Sequence, residues 1–448
     1  MPVSPARAAA FDILLRVERE YSYASELLHS AAYQRLSVPD HALATELVMG
    51  VLRWRSRLDD EIAKASSMPL SKLDLEVLIS LRLAAYQFGW LDRVPKHAAL
   101  NESVELVKRA RKRSATGFVN AVLRKLAASK TAAPIPKNED SSAESLARLS
   151  AHPAWIVERW VKEYGIAVAK QICEYDQLVP ATVIRMRTPA AERNLQDEGV
   201  NLAPGALMSS AHRVLAGDIT KTICFRAHSV VIQDEASQLV AALVGNGERI
   251  LDCCAAPGGK TLAIADRNPS ASIVAAEVHP HRARLMRQLM RTPATAIHPI
   301  HVLAADARSL PVRPQFDRIL SDVPCSGTGT IARNPEIKWR LKPDDLAELH
   351  TRQAAILRSA LSHLTSGGRL VYSTCSLENE ENENVVDEIL SDNSAIRVVD
   401  CGPELERLKA EGELVRQDLD SLVRGPYLRT IPGVHPCDGF FAAILERS

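Results

Sequence analysis

Apolar residues recur at three- and four-residue spacing through the first 130 positions, a period that predicts amphipathic helices. Ala8, Phe11, Ile13, Leu14 and Val17 open the pattern, and Leu43, Leu47, Val48, Val51 and Leu52 carry it on. Further helices are expected over 73–88 and 98–113, and a last one begins at Gly117 with Val119, Val122 and Leu123. Few strand-like runs interrupt them, so this part reads as an all-α helical bundle. The stretch 129–142 mixes Ala, Pro, Lys, Asn and Asp without apolar periodicity, the composition of a linker.

The pattern then changes twice. Helical spacing over 155–164 and 168–175 gives way to short alternating runs such as 181–186, which predicts a small α/β element. From position 229 short apolar runs end in polar or glycine residues and are each followed by a helical stretch. These runs are 250–254, 272–276, 300–304, 316–320 and 369–373. Strand alternating with helix over this length predicts a doubly wound, mostly parallel α/β sheet. The chain of 448 residues is too long for one ordinary core. The expected division is a helical domain 1–130, a linker 131–145, a small α/β subdomain 146–228 and an α/β domain 229–448.

Composition narrows the function classes. With 46% hydrophobic and 24% charged residues the chain is that of a globular protein, and no stretch approaches an uncharged apolar membrane span. Arg16, Glu18, Arg19 and Glu20 break any signal-peptide core, which makes the cytoplasm the expected compartment. The eight cysteines are too sparse for a disulfide framework, and none stand in a Cys-x-x-Cys pair. Cys253 and Cys254 would point to opposite faces of a strand, a poor start for a tetrahedral zinc site, so no metal is expected.

The overall net charge is +1, but residues 1–130 carry 20 Lys and Arg against 14 Asp and Glu, a net +6 that leaves −5 for the remainder. A polyanion would dock on the basic part. Lys108, Arg109, Arg111, Lys112 and Arg113 form a dense cluster, followed by Arg124 and Lys125, enough to contact several phosphates.

In doubly wound sheets, ligands bind at the carboxyl ends of the strands. The first such end is Leu251-Asp252-Cys253-Cys254-Ala255-Ala256-Pro257-Gly258-Gly259-Lys260-Thr261. Gly258 and Gly259 would let the backbone approach a ligand at a helix N-terminus. A Walker A loop shares the Gly259-Lys260-Thr261 ending but needs glycine where Cys254 stands, which disfavours a phosphate cradle. Glu277 ends the next run, about where an acidic residue grips ribose hydroxyls in adenosine-binding sheets, and Asp306 would complete the pocket by accepting from an adenine amino group. Two further strand ends read Asp322-Val323-Pro324-Cys325-Ser326-Gly327-Thr328-Gly329 and Tyr372-Ser373-Thr374-Cys375-Ser376-Leu377.

Together with the Ala-Pro-Gly-Gly-Lys turn, these segments resemble the Sun-type family of RNA cytosine-5 methyltransferases. The resemblance runs through Gln233-Asp234-Glu235-Ala236-Ser237, Arg333-Asn334-Pro335-Glu336, Glu378-Asn379-Glu380-Glu381-Asn382 and Asp438-Gly439-Phe440-Phe441, across 229–448. Val323 departs from the family's alanine. The resemblance implies a Rossmann-like fold and S-adenosylmethionine held by Cys254, Ala255, Ala256, Pro257, Gly258, Gly259, Lys260, Glu277, Asp306 and Asp322. It implies that Cys375 attacks C6 of cytosine, that Asp322 hydrogen-bonds or protonates ring N3, and that Cys325 serves elimination of the C5 proton and release of the RNA.

In the helical part, Val94-Pro95-Lys96-His97-Ala98-Ala99-Leu100-Asn101-Glu102 and Gly117-Phe118-Val119-Asn120-Ala121-Val122-Leu123-Arg124-Lys125 resemble NusB-like RNA-binding domains. The fusion is similar to the bacterial 16S ribosomal RNA methyltransferases of the B type. It implies 16S rRNA as partner, met before or during subunit assembly; a monomer is expected, without metal or membrane. Residues 146–228 resemble the RNA-recognition-motif-like element that precedes the family's catalytic core. A DNA cytosine-5 methyltransferase shares the Pro-Cys motif but attacks with that cysteine; Cys375 and the NusB-like part argue against it. Intact Asp322, Cys325 and Cys375 disfavour a noncatalytic RNA-binding factor, and the missing Walker glycine disfavours a nucleotide hydrolase.

Overall fold

The computed structural model describes residues 3–20, 22–33, 35–129, 142–188, 190–291, 300–313 and 315–448. They form two compact units, one of Met1–Val179 with Ile331–Leu341 and one of Pro180–Thr330 with Lys342–Ser448.

The first unit is helical, as the three-and-four spacing predicts. Its helices are α1 (Pro5–Glu20), α2 (Ala24–Leu28), α3 (Val38–Arg53), α4 (Arg55–Ala65), α5 (Leu75–Trp90), α6 (Lys96–Arg109), α7 (Thr116–Ala128), α8 (Ala143–Leu149) and α9 (Ala154–Asp176). Ser37 caps α3 by accepting from the Asp40 amide at 3.3 Å, and a proline stands in its first turn, where a missing N–H costs nothing. Almost every residue of α5 from Val77 to Phe88 is buried, so this helix runs through the middle of the bundle. Around it pack Phe11, Leu14, Leu47, Val51, Leu106, Val119 and Leu123. Helix α9 is broken at Gly165. Of the expected linker 131–145, residues 131–141 lie outside the described residues, and Ala143 already begins α8.

The segment Ile331–Leu341 is a strap inside this helical unit. Glu336 Oε1 accepts from the Ala24 amide at 2.7 Å, and Trp339 Nε1 donates to the Leu52 carbonyl at 2.6 Å. Lys338, 1% exposed, donates to the carbonyls of Arg53 and Ala151, each at 2.9 Å.

The second unit holds two sheets. Strands β1 (Val183–Met186), β2 (Asn201–Pro204), β3 (Ala211–Ala216) and β4 (Val230–Ile232) form an antiparallel sheet in the order β2-β3-β1-β4, with α10 (Ala190–Asp197) and α11 (Ile223–Arg226) between strands. The larger sheet holds β5 (Arg249–Asp252), β6 (Ser272–Glu277), β7 (Ile300–Ala304), β8 (Phe316–Asp322), β9 (Leu364–Thr374), β10 (Ile396–Val399), β11 (Val423–Arg424), β12 (Tyr427–Thr430) and β13 (Phe440–Arg447). Its order is β11-β12-β13-β9-β8-β5-β6-β7, with β10 beside β13.

The five strands expected from the apolar runs, β5 to β9, are mutually parallel. Strands β10 to β13 add an antiparallel edge. Helices α12 (Glu235–Leu243), α13 (Gly259–Arg267) and α14 (Pro280–Leu289), with Asp345–Ser362, Glu383–Ser391 and Cys401–Ala410, complete the unit. The fold class is thus multidomain, an all-α bundle and a Rossmann-like α/β unit with a small sheet. Strand order reverses at β5, and the crevice at such a switch point is where these sheets bind ligands.

Candidate active site

The chain leaves β5 at Asp252 and turns into α13 through the glycine-rich segment. Gly258 caps α13 with φ +110°, a left-handed conformation that costs glycine nothing and strains any side chain. The Cys253 amide donates to Leu320 at 2.9 Å and the Ala255 amide to Ala276 at 2.8 Å, so the turn is tied to both neighbouring strands. Asp252 is 1% exposed. Its Oδ2 accepts from Thr261 Oγ1 at 2.7 Å, and Oδ1 has no hydrogen-bond partner. Burial pushes the Asp252 carboxyl up to about 7.

Glu277 closes β6, buried, and its Oε1 accepts from the His279 amide at 2.7 Å. Asp306 follows β7 and is half-buried; Arg308 donates to both of its oxygens, with Nη2 to Oδ2 at 2.6 Å, which holds this carboxyl below its usual range. Cys254, Ala256, Gly259 and Lys260 are half-buried, Ala255 and Gly258 are buried, and Pro257 is exposed.

At the adjacent ends of β8 and β9 stand the two motif cysteines. Cys325 Sγ lies 3.2 Å from Cys375 Sγ and accepts from the Cys375 amide at 3.3 Å. The hydrogen bond with Cys375, then burial, push the Cys325 thiol well up. Either sulfur of the pair can be the donor. Asp322, on the last residue of β8, takes Lys260 Nζ at 2.7 Å on Oδ2 and the Ser373 hydroxyl at 2.8 Å on Oδ1. Burial opposes the Lys260 charge, but Asp322 outweighs it and the ammonium pKa is raised. The ammonium also sits over the Phe440 ring, 4.9 Å from its centre.

Behind the cysteines two backbones touch. The Gly439 amide donates to the Gly329 carbonyl at 2.8 Å, and a side chain on Gly329 would stand 2.2 Å from that neighbour's oxygen. Among the described residues no cluster of His, Cys, Asp or Glu could hold a metal ion, and no helix is long and apolar enough to cross a membrane.

Of the basic residues in the helical unit, Lys108 pairs with Glu105 and Arg109 with Asp12, each at 2.7 Å, and Lys112 with Asp74 at 3.1 Å. Lys125 donates to the Ala65 carbonyl at 3.2 Å. Arg111, Arg113 and Arg124 are exposed and form no ion pair among the described residues.

Residues 240–446 match the family model described as 16S rRNA methyltransferase RsmB/F, and residues 4–128 match the NusB family. A probable ribosomal RNA small subunit methyltransferase B of Bacillus subtilis (strain 168) is 33% identical over 457 residues, covering 100% of both chains. The chain belongs to the RsmB/F family of 16S rRNA methyltransferases. The ribosomal RNA small subunit methyltransferase B of Citrobacter koseri is 33% identical to this methyltransferase, covering 92% of each chain. The crystal structure of PH0851 shares its fold, with a TM-score of 0.79 at 22% identity and 100% coverage of both chains. That of NSun6 from Pyrococcus horikoshii with SFG covers 67% of this chain and 99% of its own, with a TM-score of 0.57 at 19% identity.

This is an S-adenosylmethionine-dependent rRNA methyltransferase, and its strand ends fit that cofactor. Asp252, Glu277, Asp306 and Asp322 line successive carboxyl ends. On this edge Asp306 is already paired with Arg308 and Asp322 with Lys260, while Glu277 Oε2, 3.8 Å from Arg282 Nη1, is an acceptor that suits a hydroxyl donor of S-adenosylmethionine. The Lys260–Asp322 pair, the Lys260–Phe440 contact and the Ser326–Glu381 hydrogen bonds are not legible in the sequence, since each joins residues far apart in the chain. The acidic run Glu378–Asn382 was the one visible signal for the last.

Proposed function

We propose that this chain methylates C5 of a cytosine in 16S ribosomal RNA through a covalent adduct between Cys375 and C6 of the base. The observation that carries this reading is the pair of thiols, 3.2 Å apart at neighbouring strand ends, with the Asp322–Lys260 pair on the same edge. C5 and C6 are adjacent ring atoms, and two sulfurs at this separation can address both at once. C5 of cytosine is a poor nucleophile. Addition of the Cys375 thiolate at C6 forms the S–C6 bond and moves the ring electrons to C5 and N3.

Asp322 gives N3 a hydrogen bond or proton as negative charge develops there, and the Lys260 ammonium held against it is the proton source that a bare carboxylate lacks. S-adenosylmethionine supplies the methyl group as an electrophile on a cationic sulfur. A base then takes the C5 proton, the C5–H electrons re-form the C5=C6 double bond and the Cys375 sulfur leaves C6 as a thiolate; we assign Cys325, as thiolate, to this stage. In the same reading the turn 254–260 with Glu277, Asp306 and Asp322 holds the cofactor. The helical domain 1–130, joined by the linker 131–145 to the subdomain 146–228 and the catalytic domain 229–448, brings the RNA. The protein acts as a cytoplasmic monomer before or during subunit assembly.

Separating the cysteines tests the mechanism. Cys375→Ser should abolish methyl transfer and form no adduct, because a hydroxyl is a far weaker nucleophile than a thiolate. Cys325→Ala should still attack and methylate once, then stall as a protein–RNA adduct that survives denaturing electrophoresis. An adduct in the Cys375 variant with none in the Cys325 variant would reverse the assignment. Bisulfite sequencing of RNA from cells with and without the gene would name the modified cytosine.

A further inference from the structure

The two cysteine loops share one buried carboxylate. Glu381 is 0% exposed, and its Oε1 accepts from the Ser326 amide at 2.8 Å and from Gln353 Nε2 at 2.9 Å. Its Oε2 accepts from the Ser376 hydroxyl at 2.5 Å and also from the Ser326 hydroxyl. Ser326 directly follows Cys325, and Ser376 directly follows Cys375. Gln353 Nε2 also donates to the Pro324 carbonyl at 3.0 Å, so Cys325 is held on both sides.

The next residue does the same for the other thiol. Asn382 Oδ1 accepts from Thr374 Oγ1 at 2.5 Å, and Asn382 Nδ2 donates to the Ser376 carbonyl at 3.0 Å. Glu381 is itself fixed from behind, its carbonyl accepting from the Tyr372 hydroxyl at 2.6 Å. A buried carboxylate is expensive, and a core that needed only cohesion would be as well served by an apolar side chain. A carboxylate offers four acceptor directions on a rigid plane, enough to clamp two loops at once.

We propose that Glu381 is the positioning residue that sets the distance between Cys325 and Cys375. It acts through Ser326, Ser376 and Gln353. The inference rests on the reading of those cysteines as the reacting thiols, but its geometry can be tested without RNA.

The experiment compares the full chain with Glu381→Asp and Glu381→Gln. Aspartate keeps the carboxylate but falls one methylene short of both loops. Glutamine keeps the reach: its oxygen can serve the two N–H donors while the serine hydroxyls turn to accept from its amide. Positioning therefore predicts that Asp is the worse variant, with kcat lowered about 100-fold by a displacement near 1 Å while KM for cofactor and RNA moves little. Gln should recover most of that loss. A role carried by charge predicts the opposite order. A merely structural role predicts a lower unfolding midpoint with unchanged kcat per folded molecule.

The second readout is capture of phenylarsine oxide, followed by mass spectrometry. The reagent forms two As–S bonds with a close dithiol and releases one water. Capture should be fast in the native protein, absent in Cys325→Ser and slow in Glu381→Asp. Equal capture rates in the native and Asp proteins would overturn the proposal. If the native protein captures arsenic and the variants behave as expected, yet Cys375→Ser still methylates, the covalent mechanism fails while the positioning role stands.

Discussion

Glu277 gives its first oxygen to the His279 amide, and in the proposed cofactor pocket its second accepts from ribose hydroxyls. Arg282 stands 3.8 Å from that second oxygen, at the outer limit of an ion pair. Ribose hydroxyls donating to Glu277 would be charge-assisted hydrogen bonds, each contributing about 1.5–3 kcal/mol. Glu277→Ala should therefore weaken S-adenosylmethionine binding by about 10- to 100-fold in titration calorimetry. Affinity equal to that of the native protein would remove Glu277 from the cofactor pocket. The same residue-scale logic separates the eight cysteines. Cys173, Cys224, Cys253, Cys401 and Cys437 are buried, and burial pushes each of their thiols up, so they behave as small apolar groups; the Cys254 thiol, half-buried in the turn after β5, is pushed up by burial too. Cys325 and Cys375 are the ones set at strand ends against each other.

At the scale of an element, the strap 331–341 shows how a short segment can be held by buried polar contacts beside its apolar residues Ile331, Ala332 and Ile337. Lys338 donates to two backbone carbonyls, and burial lowers its pKa to about 7, against the pull of Asp176. In the unfolded chain this lysine titrates near 10.4. Between about 7 and about 10 the unfolded state thus binds the extra proton, and stability from this group rises with pH. It is fully present above the unfolded value and lost as pH falls through about 7. Lys338→Met removes the titration but also leaves the carbonyls of Arg53 and Ala151 short of a donor. Chemical denaturation of both proteins at several pH values should show the native protein gaining stability relative to Lys338→Met between pH 7 and pH 10. A pH-independent difference would mean that the lysine titrates normally.

At the scale of the whole molecule the charge is unevenly placed, +6 over residues 1–130 against −5 over the rest. Three members of the basic cluster are already paired on the surface, but exposed pairs contribute only about 0–1 kcal/mol and yield readily to a phosphate. Arg111, Arg113 and Arg124 stand exposed without an ion pair among the described residues. Replacing Arg111, Lys112 and Arg113 by glutamine should weaken binding of 16S rRNA fragments and flatten the plot of log affinity against log salt. Each lost phosphate contact should lower the slope by about 0.7–0.9. An unaltered slope in filter-binding titrations would place the RNA elsewhere.

The alternation of apolar runs and helices by itself determined the parallel order of β5 to β9, and the three-and-four spacing the helical bundle, because burial imposes a local period on both. The motif strings likewise marked the turn 254–260 and the two cysteine loops, where glycine, proline and cysteine carry local conformational or chemical demands. The antiparallel edge of β10 to β13 and the course of Ile331–Leu341 inside the helical unit left no such period. They are decided by pairing between residues far apart, as Phe441 with Thr374 or Lys338 with Arg53. The distance between the two thiols belongs to the same class. It is set by a carboxylate five positions beyond one cysteine-loop serine and 55 beyond the other, and folding alone brings the three together.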